Sequence, residues 1–371
     1  MPHELNTGES APARAPEAPD GSVENRAGAA DGELSISVVI PVHNGEQDLR
    51  QCLASVVRGV PPPAEIIVVD DGSTDGSALV GEEFGARVLR TAARGGPAAA
   101  RNLGAQAAGG AVLLFVDADV VLPEDALALV AESFAEDPEL AALFGSYDDD
   151  PPAVNFLSQF KHLSHHYFHQ ASPEDASTFF AACGAVRRSV FLRAGGFDES
   201  YRVPCVEDIE LGYRLKEAGQ RVRLCKALQV KHLKVWTPLS LLKVELLQRA
   251  LPWTDLILRH RRVAAGPNLR LPSRLSVLAV LLLLVSLVAA VWWREALVVS
   301  ALAAAALLAL NAPLYLFLWR RRGAWFALKA IPWNLFYYFY GGVAFGVGLV
   351  RHLIGRRGPP GSDGPQHERT G

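Results

Sequence analysis

Two aspartates one residue apart, Asp117 and Asp119, follow the apolar run Leu113–Val116. Such a run is typical of a strand covered on both faces of a parallel sheet, and ligands bind beyond the carboxyl ends of those strands. Alternation along an extended chain predicts that both carboxylates project to one side, where Mg²⁺ or Mn²⁺ bridging a diphosphate would fit. A second interpretation stays open, in which either aspartate caps the turn before Leu122–Glu124.

Other residue types that could do chemistry lie on both sides of this pair. Arg94 and Arg101 flank a glycine-rich turn, and either could reach a phosphate, although glycine-rich turns are common. A helix through 156–169 would place four histidines one turn apart in pairs. No carboxylate or cysteine accompanies them, so we favour an acceptor-side role over a second metal site, with His165 and His166 binding a lipid phosphate.

The elements that must position these residues repeat one pattern. Strands are predicted at 36–42, 65–70 and 87–90, and each is followed by a polar turn and a helical pattern. Together with the strand before Asp117, this repetition predicts an α/β fold with a doubly wound, mostly parallel sheet. A structural alternative for the polar residues of the second turn, 73–75, is capping of the next helix.

Four ordered motifs carry a family resemblance: 38–46, 68–77, 100–105 and 115–119. They resemble the inverting family 2 glycosyltransferases of the GT-A fold, over about residues 35–236. The resemblance implies a nucleotide-sugar donor, such as a UDP- or GDP-sugar, a divalent metal and a single displacement. It also implies base and ribose contacts at Pro41, Asn44 and Asp70 or Asp71, with Asp117 and Asp119 as the metal-diphosphate motif.

Inverting transfer needs a carboxylate that takes the proton of the acceptor hydroxyl. Glu207 and Asp208 open a predicted amphipathic helix and match the family's acidic base motif. The resemblance makes Asp208 the general base and Glu207 a neighbour that orients the acceptor. An acidic first turn that favours the helix dipole is the structural alternative. The stretch 182–188, which contains Gly184, resembles the segment that closes the acceptor side.

The segment 229–236 resembles the position where processive synthases hold their polymer by a Gln-X-X-Arg-Trp motif. Here His232 and Leu233 stand where Arg and Trp would be, which argues against a polymerising synthase. In non-processive relatives a histidine at this point completes the metal or diphosphate site. His232 is therefore a candidate third metal ligand, with a structural histidine as the alternative.

Composition predicts a membrane protein with polar ends. Half of the residues are hydrophobic, which is high for a purely soluble protein. Residues 1–33 are predicted to be a disordered acidic tail, and 351–371 a disordered end. The four cysteines show no pairing pattern and suit a reducing, cytosolic compartment. From Lys231 onward the chain has 18 Lys/Arg against 5 Asp/Glu, which indicates anionic membrane lipids as partners, and no nucleic acid is expected.

The last third of the chain predicts a membrane anchor. Residues 237–274 form an amphipathic juxtamembrane region, with packing on the enzyme core as the alternative. Transmembrane helices are predicted at about 275–293, 296–318 and 326–350, although two spans and an interfacial segment would suit the charges of 351–357. The basic segments 259–274 and 320–322 place the catalytic domain, 34–236, on the cytoplasmic side.

We therefore expect a multi-pass cell-membrane glycosyltransferase that moves a sugar to a lipid-linked acceptor in cell-envelope glycan synthesis. The alternative is a non-catalytic nucleotide-sugar-binding subunit of a membrane assembly complex. A nucleotidyltransferase would normally show a Gly-rich basic loop directly after the first strand, and residues 43–46 are not one.

Overall fold

The computed structural model describes residues 34–260 and 271–355. The predicted disordered tail 1–33 and most of the predicted end 351–371 lie outside these residues, as does part of the basic juxtamembrane segment. Eight strands form one sheet: β1 Ile36–Val42, β2 Glu65–Asp70, β3 Arg87–Arg90, β4 Val112–Val116, β5 Val120–Val121, β6 Leu140–Tyr147, β7 Cys183–Arg187 and β8 Arg221–His232.

Helices connect these strands and continue after the last one. Those of the sheet domain are α1 Glu46–Val57, α2 Ser77–Glu83, α3 Pro97–Ala107, α4 Ala126–Glu136, α5 Phe156–Gln170, α6 Arg188–Arg193 and α7 Glu207–Glu217. After β8 come α8 Pro238–Lys243, the π-helical segment Val244–Ala250, α9 Leu251–Arg259, α10 Leu271–Ala289, α11 Ala296–Arg322 and α12 Ala324–Leu353.

The sheet order is β3-β2-β1-β4-β7-β6-β8-β5. The pairs β3–β2, β2–β1, β1–β4 and β6–β8 are parallel, whereas β7 and β5 pair antiparallel with their neighbours. This mixed sheet with helices on both faces confirms the predicted α/β class. Neighbouring β1 residues alternate between the two apolar clusters, because Val38 faces one layer of helices and Val39 the other.

The C-terminal helices pack on one another and on the sheet domain. Among the described residues, α10 and α11 are the helices long and apolar enough to cross a membrane. α12 is not among them, so the third span remains a prediction. Buried polar side chains connect the three helices: the Asn311 amide donates to Ser276 at 3.0 Å, and Tyr338 donates to Asn311 at 2.8 Å.

The end of α11 is attached to the sheet domain. Arg322 donates from Nε to Gln159 of α5 at 2.7 Å, and Arg321 forms an ion pair with Asp149. The segment after β8 also packs on the domain, through Trp236 with Leu241 and through Leu256 with Tyr213. These contacts are core packing of residues 241–256, within the region 237–274 for which packing was the alternative; contact of that region with lipid headgroups remains a prediction.

Candidate active site

A buried arginine joins two of the predicted site residues. Arg101 of α3 donates from Nη2 to Asp117 Oδ1 at 2.6 Å and from Nη1 to Glu207 Oε1 at 2.9 Å. Its side chain is only 5% exposed. Burial opposes its charge, but Asp117 and Glu207 outweigh that effect and raise the pKa of Arg101. The phosphate contact expected for Arg101 stays a prediction. The observed contacts of Arg101 give this residue a structural role, which is to hold two acidic segments together.

The candidate base lies beside this bridge. Asp208 Oδ2 accepts a hydrogen bond from the Ala181 amide at 3.2 Å, and the next carbonyl, that of Ala182, accepts from the Asp117 amide at 3.2 Å. Burial, together with repulsion from Glu207, raises the pKa of Asp208 to about 7, although Arg101 acts in the opposite direction. A carboxylate with a pKa near neutrality suits a general base.

Glu207 begins α7, as predicted, but both of its oxygens are used inside the protein. Oε1 accepts from Arg101, and Oε2 accepts from the Cys205 amide at 2.9 Å. Any orientation of the acceptor by Glu207, which stays a prediction, would therefore act through the loop that this carboxylate holds.

The path of the chain through Asp117 and Asp119 differs from the extended one that the sequence predicts. β4 ends at Val116, and a turn closed by the Val120 amide and the Asp117 carbonyl, at 3.0 Å, contains both aspartates. The alternation of side chains along an extended strand does not apply in a turn. The argument that alternation projects both carboxylates to one side is therefore wrong. The two carboxylates contact different partners, Asp117 with Arg101 and Asp119 with His232.

Asp119 and His232 form a pair that fits a divalent metal. His232 is the last residue of β8, opposite Val120, and its Nε2 lies 3.2 Å from Asp119 Oδ2. Neighbouring ligands of an octahedral ion at 2.0–2.1 Å are about 3 Å apart. Burial would raise the pKa of Asp119, but His232 and then Lys234 outweigh it, so the pKa is lowered. The described residues contain no group of three such donors, so phosphate oxygens and water would complete the shell.

Residues that the sequence did not single out as site residues hold His232. Its ring stacks on Tyr147 at 4.4 Å between centroids, and its Nδ1 lies 3.2 Å from His162 Nε2. Burial lowers the pKa of His162 to about 3, so this imidazole is neutral. The helical spacing of the histidines placed His162 on α5, but nothing in the sequence indicated that α5 faces the end of β8.

The residues expected to contact the nucleoside lie at the ends of β1 and β2. Pro41 pairs with Val69, and the Asn44 side chain accepts from the Thr74 amide at 2.7 Å. Asp71 accepts from the Gly95 and Gly96 amides, each at 2.8 Å, and Asp70 accepts from the Ser73 amide at 2.9 Å. These bonds shape the loops beyond the two strands; contacts with the base and ribose remain predictions.

The predicted acceptor-side residues, Gly184, His165 and His166, lie among packed side chains. Gly184 lies in β7 between β4 and β6, where an added Cβ would come 2.5 Å from Phe179. His166 donates from Nδ1 to the Tyr147 carbonyl oxygen at 2.8 Å and stacks on Phe317 of α11. His165 packs on Tyr147 at 4.7 Å between ring centroids. Their acceptor role stays a prediction, and these contacts are those of packing residues.

The sequence family is identified by a match to the part of the chain that contains several of these site residues. Residues 37–194 match the model of the family described as Glycosyl transferase family 2, a range that contains Asp70, Arg101, Asp117 and Asp119. This part of the chain is a family 2 glycosyltransferase domain. The family resemblance of the four motifs is therefore confirmed.

Curated relatives are also glycosyltransferases. "Glycosyltransferase GlyG" of Streptococcus pneumoniae serotype 4 is 32% identical over 126 residues, 33% of this chain and 42% of the relative. "Pre-mycofactocin glycosyltransferase" of Mycobacterium tuberculosis is 32% identical over 197 residues, 51% of this chain and 40% of the relative. The chain thus spans about two fifths of the length of these relatives.

A solved structure shows the same fold over most of the chain. The mannosyltransferase PcManGT from Pyrobaculum calidifontis, in complex with GDP-Man and Mn²⁺, aligns with a TM-score of 0.53 at 19% identity. The alignment covers 88% of this chain and 89% of that one. The GT-A-type fold predicted for the family 2 domain is therefore confirmed.

Proposed function

We propose that this protein is a membrane-anchored glycosyltransferase that moves a sugar from a nucleoside diphosphate sugar to a membrane-borne acceptor. One observation carries the proposal. Arg101 and the adjacent Ala181–Ala182 backbone hold Asp117, of the diphosphate motif, next to Asp208, a carboxylate with a pKa of about 7. A donor-binding group and a base at one edge of the sheet are what glycosyl transfer needs.

The reaction is a single displacement with inversion. The acceptor oxygen forms a bond to the anomeric carbon of the sugar while the bond from that carbon to the diphosphate oxygen breaks. Asp208 takes the proton of the acceptor hydroxyl, and the nucleoside diphosphate leaves with the electron pair. The loops that Asn44, Asp70 and Asp71 shape would hold the nucleoside.

Asp119 and His232 would hold Mg²⁺ or Mn²⁺, with Asp117 beside them facing the diphosphate. When bound, such an ion offsets the negative charge that develops on the leaving diphosphate. His162 and Tyr147 keep the His232 ring beside Asp119. The Mn²⁺ in the complex of the archaeal mannosyltransferase supports this choice of ion, and its GDP-Man makes GDP-sugars worth testing beside UDP-sugars.

The membrane part of the proposal rests on α10 and α11. They form a hairpin of two apolar helices, and the arginines at the end of α11 contact the sheet domain. The domain therefore lies on the side of the basic residues, which is the cytoplasmic side by the positive-inside rule. An enzyme anchored there could take a soluble donor and an acceptor confined to the bilayer.

The test is release of nucleoside diphosphate from a panel of UDP- and GDP-sugars by the full-length protein, with Mn²⁺ or Mg²⁺ and native membrane lipids. Asp208→Asn keeps the size of the side chain but removes the base, and we expect turnover to fall about 10²- to 10⁴-fold. Binding of the nucleoside diphosphate should be unchanged.

Asp125→Asn is the matched control, because Asp125 is exposed and its side chain caps nothing. Turnover that requires lipid and is lost only in Asp208→Asn supports the proposal. Donor binding without turnover under every condition would instead indicate a non-catalytic nucleotide-sugar-binding subunit.

A further inference from the structure

Arg249 is a cation near the candidate site that the reaction described above does not use. It lies in the π-helical segment Val244–Ala250, between the family 2 domain and the helices α10–α12. Among residues 34–260 and 271–355, no side chain forms an ion pair or hydrogen bond with its guanidinium. The side chain is neither fully buried nor exposed, so the group is shielded but reachable.

The contacts of this segment fix which way Arg249 faces. One turn before it, Glu245 forms an ion pair with Lys161 of α5 at 2.6 Å and accepts from Tyr340 of α12 at 2.9 Å. One turn after it, Trp253 donates to Tyr213 of α7 at 3.1 Å. Residues spaced by about one turn share a helix face. Arg249 therefore lies on the face of this segment that contacts α5, the base-bearing helix α7 and α12.

The charge of Arg249 reaches the candidate site itself. Asp117, Asp119 and Asp208 act electrostatically on the Tyr147 hydroxyl, and Arg249 acts on the same group in the opposite direction. Arg249 also lowers the pKa of Asp208, although burial and Glu207 dominate that shift. The guanidinium thus acts electrostatically on the base and on Tyr147, a group that the carboxylates of the diphosphate motif also affect.

Three carboxylates near Arg249 are already paired with other groups, whereas Asp208, the candidate base, has no ion pair among the described residues and also favours the charged form of Arg249. Glu245 is held by Lys161 and Tyr340, Asp117 by Arg101, and Asp119 by His232. A shielded guanidinium without a partner is costly unless an anion pairs with it. Planar guanidinium groups match phosphate oxygens in particular.

We propose that Arg249 binds a phosphate group of the membrane-borne acceptor at the entrance to the site from the C-terminal helices. The inference rests on the proposed function and names the chemical class of its acceptor. An acceptor that rises from the membrane beside α10–α12 must pass this segment before its hydroxyl reaches Asp208. The diphosphate of the donor is the other phosphate that could reach the same guanidinium.

The test measures ligand binding to the full-length protein in detergent micelles, without turnover. Farnesyl phosphate is the probe for a lipid phosphate, farnesol is its uncharged match, and UDP and GDP with Mn²⁺ are the probes for the donor. Arg249→Gln should weaken farnesyl phosphate binding at least about tenfold, since charge-assisted hydrogen bonds are lost. Arg249→Lys should retain part of the affinity, and farnesol binding should not change.

Lys243→Gln is the matched control, because Lys243 is an exposed cation directly before the π-helical segment. It should bind every probe as the wild type does. If the Arg249 variants lose binding of UDP or GDP only, Arg249 still binds a phosphate group, but that group is the diphosphate of the donor. Unchanged binding of all probes, or equal weakening of farnesol and farnesyl phosphate, overturns the proposal.

A different result would contradict the proposed function, namely a wild-type protein that binds neither UDP nor GDP. Farnesyl phosphate binding is measured without a donor and is not affected by that failure. Melting temperatures of both variants show whether the fold is intact, and Arg249→Lys keeps the test valid if Arg249→Gln is unstable.

Discussion

At the scale of single residues, Asp208 is buried, and the nearby cation Arg101 limits the effect of that burial on its pKa. Burial and Glu207 favour the protonated form, whereas Arg101 favours the carboxylate, and the balance brings the pKa to about 7. A base must be ionised to accept a proton, so the fraction of active enzyme rises as pH rises through this value. Groups that the same edge of the sheet brings together affect the pKa of Asp208 in this way.

We therefore expect the turnover of the wild type to increase between pH 5.5 and 8.5, with a midpoint at about pH 7 for the ascending limb. The reason is ionisation of Asp208, because an ordinary aspartate would already be ionised at pH 5.5. Initial rates of nucleoside diphosphate release at saturating donor provide the measurement. A flat profile over this interval would show that Asp208 ionisation does not limit the reaction.

Loss of Arg101 should lower the stability of the fold. Its guanidinium is buried between Asp117 and Glu207, and the Glu207 carboxylate is equally buried, at 5% exposed. Arg101→Gln leaves that charge uncompensated, which typically costs about 3–5 kcal/mol. Chemical denaturation in detergent should show the lower free energy of unfolding.

Arg50→Gln is the comparison for this experiment, because the Arg50–Glu83 ion pair is exposed on both sides. Exposed ion pairs contribute little to the free energy of unfolding, so the stability of Arg50→Gln should match that of the wild type. Equal stability of Arg101→Gln and the wild type would mean that the buried bridge is not needed to hold β4 and α7 together.

At the scale of elements, helix α7 approaches the backbone that precedes β7 unusually closely. A Cβ added at Gly212 would lie 2.3 Å from the Phe179 amide nitrogen and 2.5 Å from the Thr178 carbonyl carbon. Backbone atoms cannot turn aside as a side chain can. The same segment continues to Ala181, whose amide donates to Asp208. The position of the base therefore depends on a residue without a side chain.

Gly212→Ala should lower both the melting temperature and the turnover. The better helix propensity of alanine contributes about 1 kcal/mol, but overpacking against fixed backbone costs about 1–3 kcal/mol and displaces the contact with Asp208. Gly341→Ala in α12 is the control, because an added Cβ there meets no atom within 4 Å. A Gly212→Ala protein as stable and active as the control would contradict the close packing of α7.

The elements themselves were largely predictable, and their long-range partners were not. Strands β1, β2 and β3 begin and end where the apolar runs predict, since runs bounded by polar turns define strands locally. A turn at Asp117–Asp119 was only the alternative interpretation, because a strand end cannot be located from alternation alone. The contacts of His162 with His232 and of Arg101 with Glu207 join residues 70 and 106 positions apart, which local patterns do not encode.

At the scale of the whole molecule, the family 2 domain and the C-terminal helices share apolar cores. Phe160 and Leu163 of α5 pack with Leu314 and Leu318 of α11, and Trp236 packs with Leu241 of α8. The arginines at the end of α11 add polar contacts to the same face. The domain predicted at 34–236 is thus covered on one side by residues that follow it.

A chain that ends at Trp236 should therefore fail as an independent domain. It would expose the apolar face of α5, and exposed apolar patches of this kind favour aggregation. We expect it to elute as aggregate in size-exclusion chromatography and to lack a cooperative melting transition, whereas a chain that ends at Gly355 should match the full-length protein. A monodisperse chain ending at Trp236, with full donor binding, would show that α8–α12 only anchor the enzyme. Loss of its donor binding would instead mean that the C-terminal helices also hold α5, and through His162 they would hold His232 beside Asp119.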